Sequence, residues 1–289
     1  MEQIIANGLY LGAQYALIAL GLTLIFSLMN VLNFAHGQMY VLGGFVTYTV
    51  VAQFKLPFVV GLLASAVVLA VVGALVEKLL FRPVIRKSRR EESTMLLAAG
   101  IAFFLDAVIL LVFGEKQRGV PKIVNGVFNW DFRLVMPYDR ILIGVLAIAA
   151  IVGFILYMQY SRTGRAMRAL AQDRVAAQLM GVDVDRYSMI GFALGAMLAG
   201  VVGGLLVTIT GINLGMGGPT SIKAFMMIMI GGAGVISGAI AGGFILGMME
   251  SIGLSVLAAY GDITYLVIFA SLMIFLAFRP QGLMGKPWG

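Results

Sequence analysis

Apolar residues fall in long blocks along this chain, at about 7–29, 35–53, 58–80, 93–113, 140–160, 187–210, 222–257 and 262–278. Polar residues, glycine or proline bound each block. A membrane-spanning helix needs roughly 20 mostly apolar residues, so the blocks predict an all-α polytopic membrane protein of about eight to nine transmembrane helices. No repeat of 20–50 residues is visible. The block at 222–257 is too long for one span and holds Gly231, Gly232, Gly234 and Gly238. It is expected to be a glycine-broken element, re-entrant or discontinuous, because irregular backbone at membrane depth needs cover from protein or a water-filled cavity. Four-residue glycine spacings such as Gly191 and Gly195, Gly200 and Gly204, and Gly243 and Gly247 predict closely packed helices.

Three connections are polar. The stretch 82–94 holds Arg82, Arg86, Lys87, Arg89 and Arg90, and 161–187 holds Arg162, Arg165, Arg168, Arg174 and Arg186. Two spans separate them, so they share a side, and the positive-inside rule makes that side cytoplasmic. The 114–140 loop is then external and the N-terminus lies outside. Splitting 222–257 in two brings Arg279 and Lys286 to the cytoplasmic side with the C-terminus. The whole of 1–289 reads as a single transmembrane domain. In the external loop, Asn125-Gly126 between β-formers predicts a hairpin closed by a type I′ turn.

Composition narrows the function. Hydrophobic residues make up 61% and charged residues 11%, against about 25% charged in an ordinary globular domain, which excludes a soluble globular protein or a disordered chain. Twenty Lys and Arg against 13 Asp and Glu give a net charge of +7; in a membrane protein this marks topology and needs no nucleic-acid partner. Cysteine is absent and His36 is the single histidine, so disulfide frameworks, thiolate metal sites and histidine clusters are out. No Gly-x-x-x-x-Gly-Lys-Ser/Thr loop occurs, so nucleotide phosphates have no Walker A cradle here. The chain is not expected to be an enzyme.

Three groups of residues carry candidate chemistry. In 161–187, Asp173 is placed to cap a short helix to Met180, Gly181 to end it in the left-handed region, and Asp183 or Asp185 to cap the next span. The break at 30–38 puts Asn30, Asn33, His36 and Gln38 between two apolar blocks, with Gln14 and Tyr15 earlier; their neutral donors and acceptors suit either a path for a zwitterion or the satisfaction of helix ends. Asp106 and Glu250 lie inside apolar blocks with no partner evident from sequence. Such acids are costly at depth and are paired or functional.

The residues also resemble a family. Asn7 to Phe26, with Val31-Leu-Asn-Phe-Ala-His-Gly-Gln-Met-Tyr40, is similar to the start of the branched-chain amino acid ABC importer permeases of the LivH type. Arg165 to Val182 resembles their cytoplasmic coupling segment, Ile230 to Gly247 their glycine-rich broken helix, and Phe278-Arg-Pro-Gln-Gly-Leu-Met-Gly285 their C-terminal signature. Gln38 departs from the pattern, which has Glu there. The resemblance implies a permease subunit of an ATP-driven importer in the inner membrane of a bacterial or archaeal cell. It implies transport of branched-chain or other hydrophobic amino acids by alternating access. It implies a second permease chain, homologous or identical, two cytoplasmic ATPase subunits that hold ATP and Mg, and an extracytoplasmic substrate-binding protein, with no cofactor in this chain. Arg165, Arg168, Asp173, Ala176 and Gly181 fall in the ATPase-coupling segment. Permeases for urea or short amides share the Asn-x-Ala-His-Gly stretch. A self-sufficient ion-coupled carrier is the reading from a different class, with Asp106 and Glu250 as its support.

Overall fold

The computed structural model describes residues 1–88, 91–130, 134–256 and 263–285. The apolar blocks fold as helices, because lipid offers no partner to backbone N–H and C=O groups and a helix pairs its own. Helix α1 is Glu2–Met29. Helix α2, His36–Tyr48, runs on through a π turn at Thr49–Gln53. Helix α3, Phe58–Val76, continues through a second π turn, Glu77–Phe81, into α4, Arg82–Lys87. Then come α5 (Glu91–Phe113), strands β1 (Val127–Trp130) and β2 (Leu134–Pro137), α6 (Tyr138–Tyr160), α7 (Arg162–Gln172) and α8 (Arg174–Leu179). Helix α9 is Val184–Leu206, and a 3₁₀ turn at Leu214–Met216 leads into α10, Gly217–Gly231; α11 (Ile236–Val256) and α12 (Ile263–Phe278) follow.

Among the described residues, six stretches are long and apolar enough to cross a membrane: α1, α3 with α4, α5, α6, α9 and α11. Helices α2, α10 and α12 are shorter, at 13, 15 and 16 residues. The polytopic helical reading holds at this level.

Helix α1 forms the centre, with almost every residue from Gly12 to Met29 buried. Small residues let its neighbours in. A Cβ on Gly243 would lie 2.3 Å from the backbone nitrogen of Ala16, and one on Gly247 would lie 2.4 Å from that of Gly12, so the α1 and α11 backbones touch. Helices α2 and α9 do the same at Gly43 and Gly200. The outer faces keep large apolar side chains exposed, among them Leu63 and Val67 on α3 and Phe103 and Leu111 on α5. That is the surface lipid requires.

The bundle has two distinct ends. At one, Gln3 Oε1 accepts from Val135 N of the hairpin and Ser251 Oγ donates to Ile4 O. At the other, Asn30, Thr94, Ala171, Gly234 and Gln281 line one groove of about 520 Å³. Arg82 Nη2 donates to Asp185 O at 3.0 Å, and Arg86 pairs with the Asp185 carboxylate. The two arginine-rich connections and the 279–285 tail therefore share an end, opposite the start of α1.

Three expectations need correction. The hairpin exists, but its strands are 127–130 and 134–137, so its connection falls at 131–133, outside the described residues. Asn125-Gly126 precedes it. Only Gly126 has positive φ, at +120°, and a type I′ turn needs both. The segment instead wraps the start of α6: Asp139 Oδ1 accepts from Ile123 N and Val124 N at 3.0 and 2.8 Å. The 161–187 connection holds two helices, not one. The block at 222–257 is divided where glycine predicted, but its first half starts earlier, at Gly217.

Gly232 has φ +108° and Gly234 φ +81°, conformations that L side chains rarely adopt; there α10 ends and the chain turns into α11. The free carbonyls at the end of α10 are filled by the tail. Leu283 N donates to Ile230 O at 2.9 Å and Met284 N to Gly231 O at 3.0 Å.

Candidate functional site

The connection between α6 and α9 is built by local hydrogen bonds. Ser161 Oγ caps α7 by accepting from Gly164 N at 2.8 Å. Arg165 and Arg168 reach back: Nη1 of each donates to Tyr160 O (3.0 Å) and Met158 O (2.7 Å) respectively. They satisfy the last carbonyls of α6 and fix the angle at which α7 leaves it. Asp173 Oδ1 then accepts from Val175 N and Ala176 N, both at 2.9 Å, to start α8. Gly181, φ +84°, ends it, and Asp183, rather than Asp185, caps α9 through Arg186 N at 3.0 Å. Sequence reasoning missed what this scaffold presents. Val175, Leu179 and Met180 are 69, 83 and 84% exposed, an apolar ridge among arginines. The capping residues were legible; the ridge needed the fold.

The second region lies at mid-depth. His36 Nε2 is 3.1 Å from Ile18 O, and Ile18 is 11 residues before the end of α1, or about 17 Å at 1.5 Å per residue. After Asn30 ends α1 in the left-handed region at φ +54°, the chain dips back into the bundle before α2 starts. Helix α10 starts beside it. Gly37 N donates to Ser221 Oγ at 2.9 Å, and Ser221 Oγ donates to Phe34 O at 3.0 Å. A Cβ on Gly37 would sit 1.9 Å from Gly217 O, so the starts of the two helices abut. Phe34 and Phe225 form a ring contact with centroids 4.9 Å apart beside this junction.

The structure separates the expected path residues. Asn33 and His36 are fully buried; Asn33 Oδ1 accepts from Ala35 N at 3.1 Å, so both brace the turn into α2. Gln38 joins Asp106, its Nε2 donating to Oδ2 at 2.9 Å. Asn30 lines the groove at the arginine-rich end. Gln14 is buried on α1, away from the junction's hydrogen bonds. Tyr15 joins a different group, on α1, α10, α11 and α12: its hydroxyl donates to Glu250 Oε2, and Tyr265 Oη donates to Glu250 Oε1 at 3.0 Å. Lys223 Nζ lies 2.8 and 3.0 Å from the two Glu250 oxygens and 2.7 Å from Tyr15 Oη. Glu250 is thus paired, one of the two roles the sequence left open, with a partner the sequence did not name. The signal that would have found its partner was a lone lysine in an otherwise apolar block. Among the described residues no cluster suits a metal ion.

The family model for branched-chain amino acid transport system permease components matches residues 4–276. The chain belongs to this family. The match runs from the first turn of α1 to the last turn of α12, so it takes in the α8 ridge, the α2–α10 junction and the Lys223 group. High-affinity branched-chain amino acid permease protein BraD of Pseudomonas aeruginosa is 34% identical over 99% of this chain and 96% of its own length. LivH of Escherichia coli K12 is 33% identical over 97% and 94%. A probable LivH of Methanocaldococcus jannaschii is 31% identical over 94% and 89%. Among solved structures, PsaBC from Streptococcus pneumoniae aligns with a TM-score of 0.49 and 12% identity, over 93% of this chain and 89% of that one. The chain is a membrane permease component of an ABC transport system, as its relatives are.

Proposed function

We propose that this permease forms half of the translocation path of an ATP-driven importer for branched-chain amino acids. The observation that carries the reading is α8. A short helix capped at both ends holds Val175, Leu179 and Met180 out from the bundle, and an exposed apolar ridge rimmed by charged residues marks an interaction surface. Membership of a transport-system permease family, in a sequence with no Walker A loop of its own, supports an ATPase subunit holding ATP and Mg as the partner that covers it. Its closure would press α8, with α7 and the start of α9 moving as one body.

In this reading the end bearing α7, α8 and the 279–285 tail is cytoplasmic, since arginines concentrate there, and the N-terminus is external. The short helices α2, α10 and α12 complete nine crossings. The path runs past the α2–α10 junction, where Phe34 and Phe225 give an apolar wall suited to a branched side chain. A second permease chain supplies the other half, and an extracytoplasmic binding protein delivers the substrate to the hairpin end. ATP drives transport because the partners bind the inward- and outward-facing states with different affinity. The ion-coupled alternative loses Glu250, whose charge is already matched by Lys223.

Purification of the complex from its native membrane tests this. Co-purification of two Walker-A-bearing chains, with a binding protein loaded with leucine, isoleucine or valine, is expected. A stable complex lacking any ATPase would refute it.

A further inference from the structure

Two buried acceptors on opposite sides of one hydrogen bond have no donor. Gln38 is 5% exposed, and its Nε2 donates to Asp106 Oδ2 at 2.9 Å. Neither Gln38 Oε1 nor Asp106 Oδ1 has a hydrogen-bonding partner among the described residues. Orphaned acceptors at depth are costly unless something fills them, and intramembrane carboxylates mark function by default. Gln38 lies in the first turn of α2, beside the junction with the start of α10. A Cβ on Gly217, the first residue of α10, would lie 1.9 Å from Gln38 Oε1, so the amide oxygen is aimed at the start of that helix. Helix α10 has no side-chain cap. Gly217 N donates to Leu214 O of the preceding 3₁₀ turn and Pro219 has no N–H, so the positive potential beside the acceptors is that of the helix dipole.

We propose that Gln38 Oε1 and Asp106 Oδ1 receive the α-ammonium group of the transported amino acid, while the first turn of α10 receives its carboxylate. The inference rests on the amino-acid importer reading and deepens it. An ammonium has three N–H donors, enough for both orphans, and the carboxylate of Asp106 balances its charge. A carboxylate at the start of α10 gains from the helix dipole. Ligand sites at such half-helix ends near mid-membrane are a recurring solution for moving a zwitterion through lipid depth. The apolar side chain is left to Phe34 and Phe225, so the polar groups select for an amino acid and the rings for its hydrocarbon.

The test uses the assembled transporter, with its ATPases and binding protein, in proteoliposomes. ATP-driven uptake of radiolabelled leucine is compared with binding-protein-stimulated ATP hydrolysis. Asp106→Asn keeps the shape and removes the charge, and Gln38→Met keeps the length and removes the acceptor. Each is expected to lower uptake per ATP at least tenfold while stimulated hydrolysis stays within twofold. If water alone fills the two acceptors, both loss variants transport at the unsubstituted rate, and the proposal falls. Should Asp106→Asn fail to assemble, Gln38→Met decides alone. The unsubstituted complex separates the two levels: if it carries no leucine, the importer reading fails and the ammonium site with it. If it carries leucine and the variants do too, only the site fails.

Discussion

Neutralising Glu250 alone should destabilise the fold more than removing Glu250 and Lys223 together. The Glu250 side chain is 6% exposed and that of Lys223 23%, so neither charge is well solvated. The carboxylate receives Lys223, Tyr15 and Tyr265; in Glu250→Gln the ammonium keeps only neutral partners and two aromatic rings at 5.1 and 5.0 Å. Breaking a buried pair from one side costs about 3–5 kcal/mol, whereas replacing both members with apolar residues of similar volume is near neutral. The partial exposure of Lys223 favours the lower end, about 3 kcal/mol for Glu250→Gln and somewhat more for Lys223→Met, which leaves the better-buried charge alone. The double variant Lys223→Met/Glu250→Leu should recover most of the loss. Unfolding of the purified protein in mixed micelles, analysed as a double-mutant cycle, reads the coupling directly. Single costs below about 1 kcal/mol would place the pair with exposed salt bridges. Costs that simply add in the double variant would show that the two residues act independently. Either result refutes the reasoning.

Other predictions concern local geometry. Gly243→Val would drive a side chain into the α1 backbone and should abolish assembly, while Gly153→Val, with nothing within 4 Å of the added Cβ, should leave thermal stability unchanged. Gly181→Val has open space around it but a φ of +84°, so about 1–2 kcal/mol of backbone strain should fall on the α8–α9 joint; ATP hydrolysis should persist while uptake per ATP drops severalfold. A cysteine at Gln281 should react with a membrane-impermeant maleimide in inside-out vesicles and not in intact cells.

Much of the fold was legible because lipid imposes strong rules. Long apolar blocks become helices, and Asp173 and Gly181 mark a short helix through hydrogen bonds confined to a few residues. Gly231 to Gly234 marked the break, although the start of α10 at Gly217 was hidden because Gly217 and Pro219 read as loop. The Asn125-Gly126 turn failed because a local turn preference lost to the Asp139 carboxylate, which gathers that segment onto α6. The site was less legible. The Lys223–Glu250 pair spans 27 residues and Gln38–Asp106 spans 68, distances over which no local periodicity speaks. The ridge at Val175, Leu179 and Met180 reads as ordinary apolar filling until the helix is seen to stand clear of the bundle.

Uptake of labelled leucine into proteoliposomes containing this chain, its partner permease and the ATPases, with the binding protein outside, tests the central claim most directly. Uptake that requires both ATP in the lumen and the loaded binding protein, and that ignores imposed proton or sodium gradients, is the predicted result. Uptake by this chain alone, driven by an ion gradient, would contradict it.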